Sequence, residues 1–189
     1  MKRGLAIGAV VIASGLLAWA LFVALPRRYG ATATRPVADA QPVAAPSQGR
    51  KIKARLFYIA DDGVHLTRVE RDVAYGEGVL EQAREIIAAQ VAPVIEPLVS
   101  AVPPGTTVRA LFITDRGEAY VDFSREIMSG HSGGTSDELL TVYTIVNALT
   151  ENLPAVTAVQ LLVDGKEVET LAGHIDLRNP LAKNLERVQ

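Results

Sequence analysis

The chain has 189 residues, of which 49% are apolar, and a formal net charge of −2. This length is sufficient for one globular domain with its own core, and the slightly acidic balance argues against a nucleic-acid partner, which needs Lys and Arg clustered on one face. The complete lack of cysteine excludes disulfides, thiolate metal sites, a cysteine nucleophile and a lipid-bearing N-terminal cysteine.

Residues 1–26 are predicted to be a transmembrane anchor. Residues 5–25 carry no charge, and at roughly 1.5 Å per helical residue they extend about 30 Å, enough to cross the hydrocarbon core of a bilayer. A cleaved secretory signal has a shorter apolar region followed by a small-x-small site. Residues 18–20 match such a site but lie inside the apolar run, and residues 31–33 match it but lie beyond Arg28, so neither is well placed for cleavage. An uncleaved anchor is therefore favoured over a cleaved signal or a buried core helix.

The orientation of this anchor rests on a small asymmetry. Lys2 and Arg3 precede the apolar run, and Arg27 and Arg28 follow it, so the positive charges on the two sides nearly balance. The N-terminal amine and the short N-terminal tail favour a cytoplasmic N-terminus. The rest of the chain is then expected on the extracytoplasmic, periplasmic side of the membrane.

The remainder of the chain divides by composition into a linker, a domain and a tail. Residues 27–50 are rich in Ala, Pro, Thr, Gln and Ser without apolar periodicity, which predicts a flexible linker. Residues 51–180 are expected to form the folded domain, and residues 181–189 form the tail. From Asn179 onward the sequence has no clear pattern, which predicts disorder.

The domain alternates between strand and helix patterns. Short apolar or alternating runs predict strands, and 3.6-residue periodicity predicts helices. In chain order, the predicted elements are strands 52–60 and 65–73, a helix at 78–91, strands 107–114 and 119–123, a helix from residue 135, and strands 156–163 and 167–171. This ββαββαββ order predicts an α+β domain, a two-layer sandwich in which two main helices pack on one face of a mixed or antiparallel sheet.

The stretch His131–Pro154 combines a glycine turn with the longest helical pattern. Gly133 and Gly134 favour a turn that other residues make with difficulty. Thr135 is predicted as the helix N-cap, and Glu138 as its partner in a capping box. The apolar side chains of the helix are predicted to share one face, and they are Leu139, Val142, Tyr143, Val146, Leu149 and Leu153.

The start of this helix is the candidate binding site. Its backbone N–H groups can hold an anion, although Asp137 and Glu138 argue against a strongly charged one. The candidate binding residues are His131, Ser132, Gly133, Gly134, Thr135 and Glu138. Further along the helix, the polar side chain of Asn147 is expected to be hydrogen-bonded at the edge of the layer.

Residues 130–134 also match G-x-S-x-G, the nucleophile elbow of α/β-hydrolases. That elbow needs a strand directly before the turn, whereas residues 124–129 separate the nearest predicted strand from it. Asp164 and His174 follow Ser132 in the order that such a triad requires, so hydrolysis is kept as an alternative. A glycine-rich helix start explains the same pattern without catalysis.

The remaining polar residues predict no metal or cofactor site. His65, His131 and His174 show no H-x-H or H-x-x-x-H spacing, and metal binding needs several ligands to converge. Acidic residues in the predicted turns are explained by hydrogen bonds to nearby backbone N–H groups. Asp122, inside a predicted strand, has no local role of this kind and is expected to face solvent or the loop near Ser124.

Six short segments follow one another in an order and spacing typical of a known domain. They are Leu56–Tyr58, Val102–Thr106, Ala119–Ser124, Gly133–Thr135 with Glu138, Val159–Gly165 and Gly173–Asp176. Together they resemble the GerMN domain family of spore germination and sporulation proteins over about residues 52–180. The resemblance implies a membrane-tethered, extracytoplasmic α+β module without enzymatic activity, and it supplies no catalytic residues.

The sequence and this resemblance together predict a non-enzymatic, membrane-anchored binding or assembly module of the bacterial cell envelope. Its expected partner is an envelope protein or peptidoglycan, with the membrane contacted through residues 5–25. Two alternatives are kept, a hydrolase that acts on peptidoglycan and a structural envelope protein that forms homo-oligomers through sheet edges or helix faces.

Overall fold

The computed structural model of the protein describes residues 49–189. The predicted anchor at residues 1–26 and the predicted linker up to residue 48 lie outside the described residues. Within residues 49–189, none of the helices combines the length and the apolar character that a bilayer crossing requires.

The first sheet is an antiparallel hairpin. Strand β1, Lys51–Ile59, pairs along its whole length with β2, Leu66–Ala74. In the connecting turn, Oδ1 of Asp62 accepts hydrogen bonds from the backbone N–H groups of Val64 and His65, both at 3.0 Å. A carboxylate that binds the backbone two residues ahead stabilises a tight turn.

The second sheet is mixed. Its strands are β3, Val108–Ile113; β4, Glu118–Phe123; β5, Ala158–Val163; β6, Lys166–Glu167; and β7, Leu181–Ala182. Strands β3 and β4 form an antiparallel hairpin, β4 and β5 are parallel, and both β6 and β7 pair antiparallel with β5. The parallel pair needs a crossover between β4 and β5, and the candidate binding site lies in that crossover.

Three helices accompany the sheets: α1, Gly78–Val91; α2, Glu126–Ser129; and α3, Thr135–Asn152. Helices α1 and α3 contact each other, and each also contacts strands of both sheets. The core lies where the two helices meet the sheets, and its largest fully buried side chains include Leu56, Phe57, Tyr58, Ile86, Phe123, Ile145 and Leu149.

The predicted α+β class is confirmed, but the strands are divided between two sheets instead of one. Side-chain amides explain the division. The amide of Gln90 donates to the Phe57 carbonyl at 2.8 Å and accepts from the Phe57 N–H at 2.9 Å, and Asn152 bonds Arg55 in the same way at 2.7 and 2.8 Å. Because these backbone groups of β1 are already bonded, another strand cannot pair with them.

Helix α1 has the predicted bounds, and most predicted strands differ from the observed ones by one or two residues at each end. The predicted strand 167–171 is an exception, since only Lys166–Glu167 is paired. The chain then leaves the sheet, and the N–H of Leu171 binds the side chain of Glu138 at 2.7 Å. The short helix α2 was not predicted.

Two predictions about α3 are wrong. Its N-cap is Gly134, without a side-chain cap, and not Thr135; the predicted capping box is absent because Glu138 is bonded elsewhere. The buried surface of the helix is also wider than the predicted stripe. Leu140, Ile145 and Ala148 are buried together with most of that stripe, whereas its members Leu139 and Tyr143 are only partly buried. Contact with α1 and with both sheets accounts for the wider burial.

The predicted disorder of the tail is wrong as well. Strand β7 pairs with β5, and Val188 forms a bridge with Leu66. The buried amide of Asn147 donates to the Asn184 carbonyl at 2.7 Å and accepts from the Asn184 N–H at 3.1 Å. The expectation that Asn147 is hydrogen-bonded is thus confirmed, and its partner is the tail itself.

Candidate binding site

The candidate site is built on the turn between α2 and α3. Gly133 and Gly134 have φ angles of 88° and 89°, in the region that residues with a side chain rarely adopt. Gly130 is restricted by packing instead, since a Cβ there would lie 2.9 Å from the Glu126 carbonyl oxygen and 3.2 Å from Pro103. The glycines therefore serve the shape of the turn.

A chain of hydrogen bonds fixes the imidazole of His131. Its Nδ1 accepts from the Gly133 N–H at 3.0 Å, so the neutral ring carries its proton on Nε2. Nε2 lies 3.2 Å from Oγ1 of Thr141, and that hydroxyl donates to the Ala101 carbonyl at 2.6 Å. His131 thereby connects the glycine turn to α3 and to the loop before β3.

Ser132 and Asp137 form the polar rim beside this chain. The hydroxyl of Ser132 donates to Oδ2 of Asp137 at 2.7 Å. Both residues line a pocket of about 240 Å³ with His131 and Thr141, and its apolar walls include Ile59, Val102, Pro103 and Pro104. The polar protons of these side chains are already donated within the site, so these side chains can only accept further hydrogen bonds. The pocket therefore suits a ligand rich in N–H and O–H donors better than an anion.

Glu138 serves a different loop. Its side chain is inaccessible to solvent, and its carboxylate accepts hydrogen bonds from the backbone N–H groups of Leu171, Ala172 and His174 at 2.7, 3.0 and 2.8 Å. Burial raises the pKa of Glu138, but the backbone hydrogen bonds from this loop outweigh it and lower the pKa below its ordinary 4.5. Nδ1 of His174 lies 3.1 Å from the same carboxylate. Glu138 thus holds the segment after β6 against α3.

The structure brings only part of the predicted set together. His131 and Ser132 line the pocket, and Gly133, Gly134 and Thr135 form the adjoining turn and the first residue of α3. Glu138 contacts the 171–174 loop instead.

Sequence reasoning missed Asp137 and Thr141 as lining residues. They are four residues apart, which places them on one side of the helix. This spacing could have indicated from the sequence that the two side chains lie together.

The groups of the G-x-S-x-G hypothesis have separate partners in the described residues. Ser132 binds Asp137 and His174 binds Glu138, whereas Asp164 accepts from Nη1 of Arg109 at 2.7 Å. Helix α2 also separates β4 from the turn. This arrangement lacks the strand-to-turn connection and the serine–histidine bond that a nucleophile elbow requires.

Asp122 has a structural role. Its side chain is buried, with Oδ2 at 3.2 Å from Nε of Arg109 and Oδ1 accepting from the Gly165 N–H at 2.7 Å. The carboxylate thus connects the end of β4 to the turn between β5 and β6. Within residues 49–189, the His, Asp and Glu side chains form no group of three or more that could hold a metal ion.

Solved structures with a similar fold include domains of a sporulation protein and a candidate lipoprotein. The tandem GerMN domains of the sporulation protein GerM from Bacillus subtilis match 70% of this chain with a TM-score of 0.55 and 19% identity, and the chain spans 46% of that structure. The first GerMN domain of the same protein matches 69% of the chain with a TM-score of 0.51, 22% identity and 97% of its own length covered.

A candidate lipoprotein from Clostridium perfringens matches 75% of the chain with a TM-score of 0.50 and 21% identity, over 93% of its own length. At these identities the likeness concerns the fold. None of the curated proteins matches the chain. The sequence profile of the Germane family, described as "Sporulation and spore germination", matches residues 55–169, and the chain therefore belongs to this family.

Proposed function

We propose that residues 51–180 form a non-enzymatic binding or assembly module on the extracytoplasmic side of a bacterial membrane, to which residues 5–25 anchor the chain. The partner is an envelope protein or peptidoglycan. Membership of the Germane family supports a role of this kind, as do the similar folds of a sporulation protein and a candidate lipoprotein. The uncharged run at residues 5–25 supports the anchor.

The main observation behind the proposal is that the polar side chains are bonded to other parts of the fold. His174 and Asp164, which the hydrolase alternative would need, are bonded to Glu138 and Arg109. The buried acid Asp122 likewise holds the turn at Gly165. Groups used to fix the fold are poorly placed to exchange protons with a substrate, since catalytic acids and bases must reach the reacting atoms. Recognition is then left to the surface, and the pocket beside Ser132 is the leading site.

The test uses the full-length chain in detergent, mixed with insoluble peptidoglycan sacculi or with envelope proteins. For the wild type we expect co-sedimentation with sacculi, or capture of an envelope protein by proximity labelling, without release of soluble fragments. Asp137→Asn should weaken the interaction because it removes the acceptor charge of the pocket. Asp115→Asn, at an exposed turn outside the pocket, is the matched control.

Different outcomes separate the classes of function. Release of fragments by the wild type but not by Ser132→Ala would replace the proposal with a hydrolase. Concentration-dependent oligomers without any other ligand would favour the self-associating structural role. Equal binding by the wild type and Asp137→Asn would move the binding site away from this pocket.

A further inference from the structure

Exposed apolar side chains cluster where the chain enters the domain. Tyr75 follows β2, and Val79 and Leu80 lie in the first turn of α1; their exposed fractions are 42%, 41% and 36%. The Tyr75 N–H donates to the Arg50 carbonyl at 2.8 Å, and the Arg50 guanidinium lies 3.3 Å from the centre of the Tyr75 ring. With the neighbouring Lys51, these five residues are called the N-terminal patch.

Two basic residues border the N-terminal patch. Arg50 and Lys51 are both exposed. Of the acids nearby, Glu81 is paired with Arg84 and Asp72 with Lys53, both at 2.7 Å. Glu77 forms no ion pair within residues 49–189, so the patch keeps two basic residues against one such acid. An aromatic ring and aliphatic side chains bordered by basic residues are typical of surfaces that bind the interface of anionic bilayers.

We propose that the N-terminal patch contacts the headgroup region of an anionic membrane, with Arg50 and Lys51 on the lipid phosphates and Leu80 inserted among the upper acyl carbons. The proposal rests on the proposed anchor at residues 5–25. Tethering favours lipid over a second copy or a protein partner, because the chain that carries the anchor joins the domain inside the patch and keeps the membrane at high local concentration. Each basic residue near an anionic surface adds to the attraction.

The lack of cysteine permits a direct test on the full-length chain. Leu80→Cys is labelled with a polarity-sensitive fluorophore, and the protein is reconstituted into vesicles of phosphatidylcholine with phosphatidylglycerol. Spin-labelled lipids should quench this fluorophore strongly. Phe112→Cys, an exposed apolar position on the second sheet, is the matched control and should be quenched much less.

Reversing both charges with Arg50→Glu and Lys51→Glu tests the electrostatic part. The double change should lower the equilibrium constant for contact at residue 80 by about tenfold or more. High salt should act in the same direction in the unmodified background, because the screening length falls to roughly 3 Å at 1 M salt.

Flotation of the vesicles separates this inference from the proposed anchor. Protein that floats with quenching confined to residue 80 supports both. Protein that floats with equal quenching at residues 80 and 112, or with quenching indifferent to the charge reversal, overturns the patch and leaves the anchor standing. Shielding of residue 80 without lipid quenching indicates a protein contact and also overturns the patch, and protein that does not float overturns both ideas.

Discussion

Removal of the Glu138 carboxylate should destabilise the domain more than any other single change in the first turn of α3. The carboxylate is buried and is the acceptor for three backbone N–H groups at 2.7–3.0 Å. Each N–H bond to a charged acceptor contributes roughly 1.5–3 kcal/mol, and a buried donor left without an acceptor costs about 1–3 kcal/mol. Because three donors lose their acceptor, we expect Glu138→Ala to lower the free energy of unfolding by about 4 kcal/mol.

Glu138→Gln removes the charge of the side chain but keeps its shape, so it measures the contribution of the charge. An amide oxygen can still accept from Leu171 and Ala172, but its NH₂ group would face the N–H of His174, so a loss of about 2 kcal/mol is expected. Asp137→Asn is the control for the helix dipole, because Asp137 is an exposed acid in the same turn. It should cost less than about 1 kcal/mol.

At low pH, the wild type and Glu138→Gln should have nearly the same free energy of unfolding. The pKa of Glu138 is lower in the folded chain than its ordinary 4.5, so the unfolded chain binds the proton more readily. The stabilisation is complete above about pH 4.5 and is lost as the pH falls through the folded-state pKa. Urea unfolding followed by circular dichroism gives the free energy of unfolding of each variant. Measurements at neutral pH and near pH 3 then show how the stability difference depends on pH. The prediction is refuted if Glu138→Ala lowers the free energy of unfolding by less than about 1 kcal/mol at neutral pH. It is also refuted if the stability difference between the wild type and Glu138→Gln does not decrease in acid.

Three further outcomes are expected. Gly134→Val should lower the free energy of unfolding by at least about 1–2 kcal/mol because of its φ of 89° alone, since space around a new Cβ is open; an unchanged melting curve would contradict this. Asn147→Leu should lower the free energy of unfolding by about 2–3 kcal/mol and increase proteolysis of the tail, since the backbone of Asn184 loses both of its bonds to Asn147; protection of the tail equal to wild type would count against it. Ser132→Ala should leave the fold intact and produce no change in release of peptidoglycan fragments, measured on isolated sacculi.

The predictable parts of the fold depend on local patterns. Helix α1 has the predicted bounds because a 3.6-residue apolar stripe and the prolines after it are read within one segment. The hairpin turns at Asp62 and Gly117 are local in the same way, since their residues act on neighbouring backbone groups.

The parts that were missed depend on contacts between distant residues. The tail has two-residue β7 and a bridge at Val188, and its order comes from pairing with β5, β2 and Asn147 rather than from its own sequence. The same holds for the candidate site. The glycines predicted a turn, but the positions of Asp137 and Thr141 beside Ser132 depend on how α3 packs.

By itself, the sequence determined the α+β class, the family and the glycine turn. Each depends on short local patterns and on their order along the chain, both of which can be read without knowing how the chain packs. Tertiary structure alone decided that Gln90 and Asn152 close the edge of β1 and divide the strands between two sheets. It also decided that Glu138, expected to cap its own helix, binds a loop more than thirty residues away. A side chain bonds to whichever backbone groups packing brings within reach, and local spacing does not specify which groups those are.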